Sequence, residues 1–249
     1  MIKHYLKVAF RNLIKYKTQS LVSIIGLAVG FTCFALSVLW IRYEMTYDNF
    51  HEGADRIYLV RAHYANEPGT SKFTPYPLMK YLQDKMPEIE AVTAFTAHYV
   101  KFRMEDTEQE IGMIAADSVF MNFFNIRLLK GTVNFLKEND PEIAITEEFA
   151  RKLFGSEEDA LGKEVELSGR PRKIGAIVSG WSRHSNIPYS VLSSARRYPR
   201  WSSKGEQLFI RVRAGVDRDT FQKKMEDIDI LDIPKESELV KLLITPISA

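Results

Sequence analysis

The chain has 249 residues, 45% of them hydrophobic and 27% charged, close to ordinary globular usage and unlike a disordered or low-complexity protein. Its net charge of +2 hides an asymmetry: Lys3, Lys7, Arg11, Lys15 and Lys17 are the only charged residues up to Ile41, and from Arg42 onward 29 basic residues face 32 acidic ones. That balance excludes a basic nucleic-acid interface, and the single cysteine, Cys33, excludes a disulfide framework.

Residues 1–20 read as an amphipathic helix. Ile2, Tyr5, Leu6, Ala9, Phe10, Leu13 and Ile14 recur at helical spacing, while Lys3, Lys7, Arg11 and Lys15 step by four along another face. Such a helix lies on the inner leaflet, its cations meeting anionic lipid headgroups; the plainer alternative is a continuation of the next segment. Residues 21–41 (LVSIIGLAVGFTCFALSVLWI) carry no charge and are long enough to cross a hydrocarbon layer of about 30 Å. A signal peptide competes, but the run exceeds a usual h-region and WIRYEM offers no small-residue cleavage site. The cationic flank before the span and Glu44, Asp48, Glu52 and Asp55 after it predict a cytoplasmic N-terminus and an extracytoplasmic remainder, residues 42–249. Within the span, Ser23, Gly26, Gly30, Cys33 and Ser37 form a stripe of small residues suited to close helix packing, although glycine is common in membrane helices generally.

After the span, Ile57–Ala62 alternate as a strand, 66–74 read as a loop, and Pro75 and Pro77 mark a helix start with Leu78, Met79, Leu82 and Met86 on its apolar face and Pro87 as its stop. Strands follow at 91–104 and 110–116 around a polar turn. Asp117 or Ser118 caps a short helix through Phe124. EIAITEEFARKLFG reads as strand, Thr146 cap and helix ended by Gly155; KEVELSGRPRKIGAIV as a hairpin turning at Ser168–Arg170; and LFIRVRAG as a strand followed by a helix from Asp217 or Asp219 through Phe221 and Met225. Mixed short strands and helices predict an α+β domain.

The histidines, His4, His51, His63, His98 and His184, show no metal-ligand spacing, and there is no Walker A loop, GxSxG elbow or GxGxxG turn, so no cofactor or metal is expected. Glu147 with Glu148 and Glu157 to Asp159 suit helix first turns better than paired catalytic carboxylates. SGWSRHSNIPYSVL, with Trp181, Arg183 and His184, reads either as a binding loop or, preferably, as a structural loop around a buried tryptophan.

FRNLIKYKTQSLVSIIGLAVGF, followed after the span by YEMTYDNFHEGADRIYLVR, resembles the amino-terminal signature of FtsX/MacB-type ABC-transporter permeases. AADSVFMNFFNIRLLKG, IAITEEFARKLFG and ALGKEV are similar to the MacB-like periplasmic core domain, and the resemblance covers nearly the whole chain. It implies a mechanotransmitting permease of the inner membrane: a separate cytoplasmic ABC ATPase hydrolyses ATP, and a permease dimer passes the motion to a periplasmic domain that drives export, lipoprotein release or activation of a periplasmic protein or peptide partner. Family members carry at least three further membrane helices, and a cytoplasmic loop between those helices meets the ATPase. No second apolar stretch of about 20 residues occurs here. The expectation is therefore a truncated product or a split subunit. A single-pass extracytoplasmic binding or sensor module is the competing reading, and an enzyme a distant third.

Overall fold

The computed structural model describes residues 11, 14–44, 53–104, 107–138, 140–181, 185, 187, 189–228, 230 and 232–247. The chain divides into two compact units, Met1–Thr46 and Tyr47–Ala249.

In the first unit, α1 (Lys17–Glu44) is 28 residues long, about 42 Å at helical rise, and it is the one helix among the described residues long and apolar enough to cross a membrane. No proline interrupts its backbone ladder. Its polar side chains are satisfied locally: Thr32 Oγ1 donates to the Ala28 carbonyl and Ser37 Oγ to that of Cys33, both at 2.8 Å. No residue of α1 is buried.

The second unit is α+β, with eleven strands and short helices. Its first lobe follows β1 (Ile57–Tyr64), α2 (Pro77–Lys85), β3 (Ile89–Met104), then β10 (Lys204–Val212), α6 (Arg218–Glu226) and β11 (Leu239–Pro246). The strands lie in the order β11-β1-β10-β3, all antiparallel, so this lobe is a βαββαβ unit whose fourth strand sits beside its first. Leu78 and Leu82 of α2 and Phe221 and Met225 of α6 bury against Val60, Ala62, Val92, Leu208, Ile210 and Leu242 on one sheet face. Asp217 accepts from Thr220 N at 2.9 Å and so caps α6. The opposite face receives α3 (Ser118–Phe123), whose Phe120 packs edge-on to Phe95 at 5.1 Å.

The second lobe is inserted between β3 and β10. It contains β4 (Thr107–Ala116), β5 (Leu128–Gly131), β6 (Glu142–Thr146), α4 (Glu147–Phe154), α5 (Glu157–Ala160), β7 (Glu164–Leu167), β8 (Arg170–Val178) and β9 (Val191–Ser194). Pairings β3–β4, β4–β9, β9–β6, β6–β8, β8–β7 and β7–β3 close six strands into a ring. The 16-residue β3 belongs to both lobes. Cross-strand partners share a face, so Val100, Ile111, Val191, Ile145 and Ile174 fill the ring together, with Phe149 of α4 packed against Phe102 at 5.1 Å. Glu147 and Glu148 occupy the first turn of α4 and Glu157 to Asp159 that of α5, where Arg151 bridges Glu147 and Glu157 at 2.8 Å each.

Two sequence expectations are corrected, and one strand was not foreseen. Pro75 does not begin a helix: with Thr74 it forms β2 (Thr74–Pro75), paired to β10, because tertiary pairing draws it into extended backbone and Pro77 takes the first helical turn. The end of SGWSRHSNIPYSVL is not loop but β9, too short to show alternation. Strand β11 lacks a sequence forecast, since Leu242 and Leu243 blur its period of two.

Candidate functional site

The hairpin β7–β8 turns at Ser168 and Gly169, and β7 meets β3 only at Phe102 and Arg103. The hairpin ends there, Ser168 N donating to the Lys101 carbonyl at 2.8 Å, and β3 runs on toward His98 with no strand on that side, so the ring opens. Two adjoining cavities of about 450 and 260 Å³ occupy the opening, sharing His98, Met113, Arg170, Arg172 and Ser193. All five stand on strand positions in phase with the ring's interior: His98 pairs with Met113, and Arg172 and Arg170 continue the face of Ile174. The apolar filling therefore ends where the arginines begin.

The charges around this mouth are unevenly matched. Arg170, Arg172 and Arg196 line it, and among the described residues no carboxylate lies within ion-pair distance of any of them. Arg172 Nη1 donates to the Asp140 carbonyl at 3.2 Å, and Arg196 stacks over Tyr198 at 5.7 Å. Neither contact neutralises a charge. Burial pulls His98 below the ordinary imidazole value, so arginines supply the positive field.

At the other end of the larger cavity stands Glu206 of β10, 6% exposed, whose Oε2 is buried without a hydrogen-bond partner. Burial raises its carboxyl above the usual range, Asp117 adding to the shift and Arg197 opposing it. Arg197 is itself engaged, 3.0 Å from Asp117 Oδ2 and 4.2 Å over the Tyr76 ring. Asp117 also caps α3, accepting from Val119 N at 3.0 Å and Phe120 N at 2.9 Å.

The residues singled out from sequence lie elsewhere. Ser23, Gly26, Gly30, Cys33 and Ser37 are all on α1, and a Cβ added at Gly26 or Gly30 meets no atom within 4 Å. Arg11 and Lys15 are exposed, with Lys15 over the Tyr16 ring at 5.5 Å; Lys3 and Lys7 lie outside the described residues. Trp181 follows the structural alternative, donating Nε1 to the Ile187 carbonyl at 2.9 Å and packing edge-on to Tyr189 at 4.7 Å, while Arg183 and His184 lie outside the described residues. The sequence signals of the arginine mouth are weak, although RPR, starting at the last residue of the predicted turn, places two cations on one face of a strand.

The fold is shared with a domain assigned to a permease protein from Porphyromonas gingivalis, at TM-score 0.64 and 22% identity over 79% of this chain and 92% of that one. It is also shared with the extracellular domain of the noncanonic ABC-type transporter YknZ from Gram-positive bacteria (TM-score 0.55, 12% identity, 76% of this chain and 99% of that). The periplasmic region of MacB from Actinobacillus actinomycetemcomitans is similar too (0.54, 12%, 78% and 89%). A search of curated proteins found no match. The model of the MacB-like periplasmic core domain matches residues 20–228, so the chain belongs to that family of ABC-transporter permease components.

Proposed function

We propose that the chain is a permease subunit of the FtsX/MacB type, or a portion of one, which couples a separate cytoplasmic ATPase to export, lipoprotein release or partner activation outside the membrane. The observation that carries this reading is the extent of the family match, which starts inside α1 and runs through α6, taking in most of the apolar helix and all of the two-lobed domain up to the segment that leads to β11. In this reading α1 crosses the inner membrane, residues 1–20 stay cytoplasmic, the domain faces the periplasm, and a second permease chain packs on the Gly26 and Gly30 stripe. The two lobes sharing one continuous strand suit a domain that moves as a body when its helix moves.

The test is affinity purification of the native protein from source membranes with an antibody to the domain. Recovery of an ABC ATPase and a second permease chain supports the reading; recovery of neither overturns it. The same antibody gives the native size, and a band well above 28.7 kDa identifies the remaining helices as part of the same polypeptide. The arginine-lined mouth favours one alternative, a single-pass binding or sensor module, which predicts ligand binding without any transport partner.

A further inference from the structure

We infer that the mouth of the strand ring is a two-ended binding site for a small organic oxyanion, a phosphate or carboxylate carried on a molecule that also bears hydroxyl or amino groups. At one end, the guanidinium groups of Arg170 and Arg172 project two residues apart from one strand face, with Arg196 beside the same cavity and, among the described residues, no carboxylate in ion-pair distance. Such forks pair with planar or tetrahedral oxyanions through paired N–H donors. Ser193 on β9 and His98 on β3, with β4 between them, line the same opening and add neutral hydrogen-bonding groups.

At the other end, Glu206 presents a buried, unpartnered oxygen. A buried carboxylate oxygen without a donor is costly, and native proteins seldom keep one without a use. Arg197, the cation that bears on it, pairs with Asp117 and lies over the Tyr76 ring; its Nη1 and Nη2 are likewise buried without a hydrogen-bond partner and make no hydrogen bond to Glu206, so a ligand that donates to the carboxylate fills a need the fold leaves open. An anion with a hydroxyl or amine a few bonds from its charge satisfies both ends. The larger cavity, about 450 Å³, falls in the range of small-molecule sites, and Val100 and Leu167 line the smaller cavity that adjoins it, giving the ligand an apolar floor. This site does not depend on coupling to an ATPase.

The test uses the full chain in detergent micelles and isothermal titration with four probes: glucose 6-phosphate, gluconate, glucose and inorganic phosphate. The expected result is binding of glucose 6-phosphate or gluconate, with the stronger of the two naming the oxyanion. Glucose and bare phosphate should bind at least about tenfold more weakly, since each fills one end only. Arg170→Ala with Arg172→Ala should weaken the preferred probe by about tenfold or more, with the melting temperature lowered only slightly because Arg170 is exposed and Arg172 gives up a single hydrogen bond to the Asp140 carbonyl. Glu206→Gln should weaken the hydroxylated anions and leave inorganic phosphate unchanged. Equal affinity for phosphate and glucose 6-phosphate, or binding indifferent to the arginine pair, overturns the inference, as does the absence of binding by all four.

Discussion

Phe34 in α1 and Phe120 in α3 are the same side chain in opposite circumstances. Phe34 is 66% exposed, whereas Phe120 is 0% exposed and packs against Phe95, Phe124 and Trp181 at 5.1, 5.0 and 6.0 Å. Helix α1 holds its shape through its own backbone ladder and leaves its apolar surface to whatever surrounds it; the domain holds its shape by interdigitated side chains drawn from both lobes. Equal hydrophobicity thus serves insertion in one unit and folding in the other. The largest expected effect tests this contrast directly. Phe120→Ala should destabilise the domain by about 3–5 kcal/mol, while Phe34→Ala should leave its unfolding midpoint unchanged. Matched denaturation curves in detergent check both, and a loss with Phe34→Ala would break the comparison.

The second effect concerns how polar groups are settled on each side. In α1 the hydroxyls of Thr32 and Ser37 return to their own helix, but in the domain Asp117 joins separate elements by capping α3 and holding Arg197. Asp117→Ala removes the cap and strands a half-buried guanidinium, a loss of about 2–3 kcal/mol. Asp117→Asn keeps an acceptor for Val119 N and Phe120 N and should lose less. Thermal melts of the two variants separate the cap from the charge.

Sequence legibility divides along the same line. The span over 21–41, the caps at Asp117, Thr146 and Asp217, and the β7–β8 turn all rest on local chemistry, and the structure has an element boundary or an unbroken helix at each. What local chemistry does not encode is closure. Nothing in the tetrapeptides of β7 and β9 states that they complete a ring with β3, so the mouth lined by Arg170, Arg172 and Glu206, residues 36 apart in sequence at its extremes, emerges only from pairing. Pro75 shows the same override on a smaller scale, where pairing with Lys204 outweighs a local helix-start signal.

A smaller effect is expected in α1. If its small-residue stripe meets a second chain, Gly26→Leu with Gly30→Leu should lower self-association in membranes by about 1–2 kcal/mol, while insertion and domain stability stay as they are. Unchanged association in a membrane two-hybrid assay would show that the stripe is not the interface.

The smallest effect lies at Glu206, and its sign follows from burial. The folded carboxyl titrates above its ordinary value of 4.5, so the unfolded chain releases its proton first as pH rises. Stability contributed by the protonated form is therefore full below pH 4.5 and declines as pH climbs from there through the folded value. The groups that bear on it are Arg197, which favours the ion, and Asp117, which opposes it, while Arg170, Arg172 and Arg196 line the same cavity. Glu206→Gln removes the ionisation and keeps the shape. It should raise the melting temperature by a few degrees at most at about pH 7.5, with the gap closing at about pH 4, whereas a loss at neutral pH would mean that the ion is better satisfied than its burial implies. A gain in stability together with weaker binding of the hydroxylated anions is the pattern of a residue kept for ligand recognition at the expense of the empty fold.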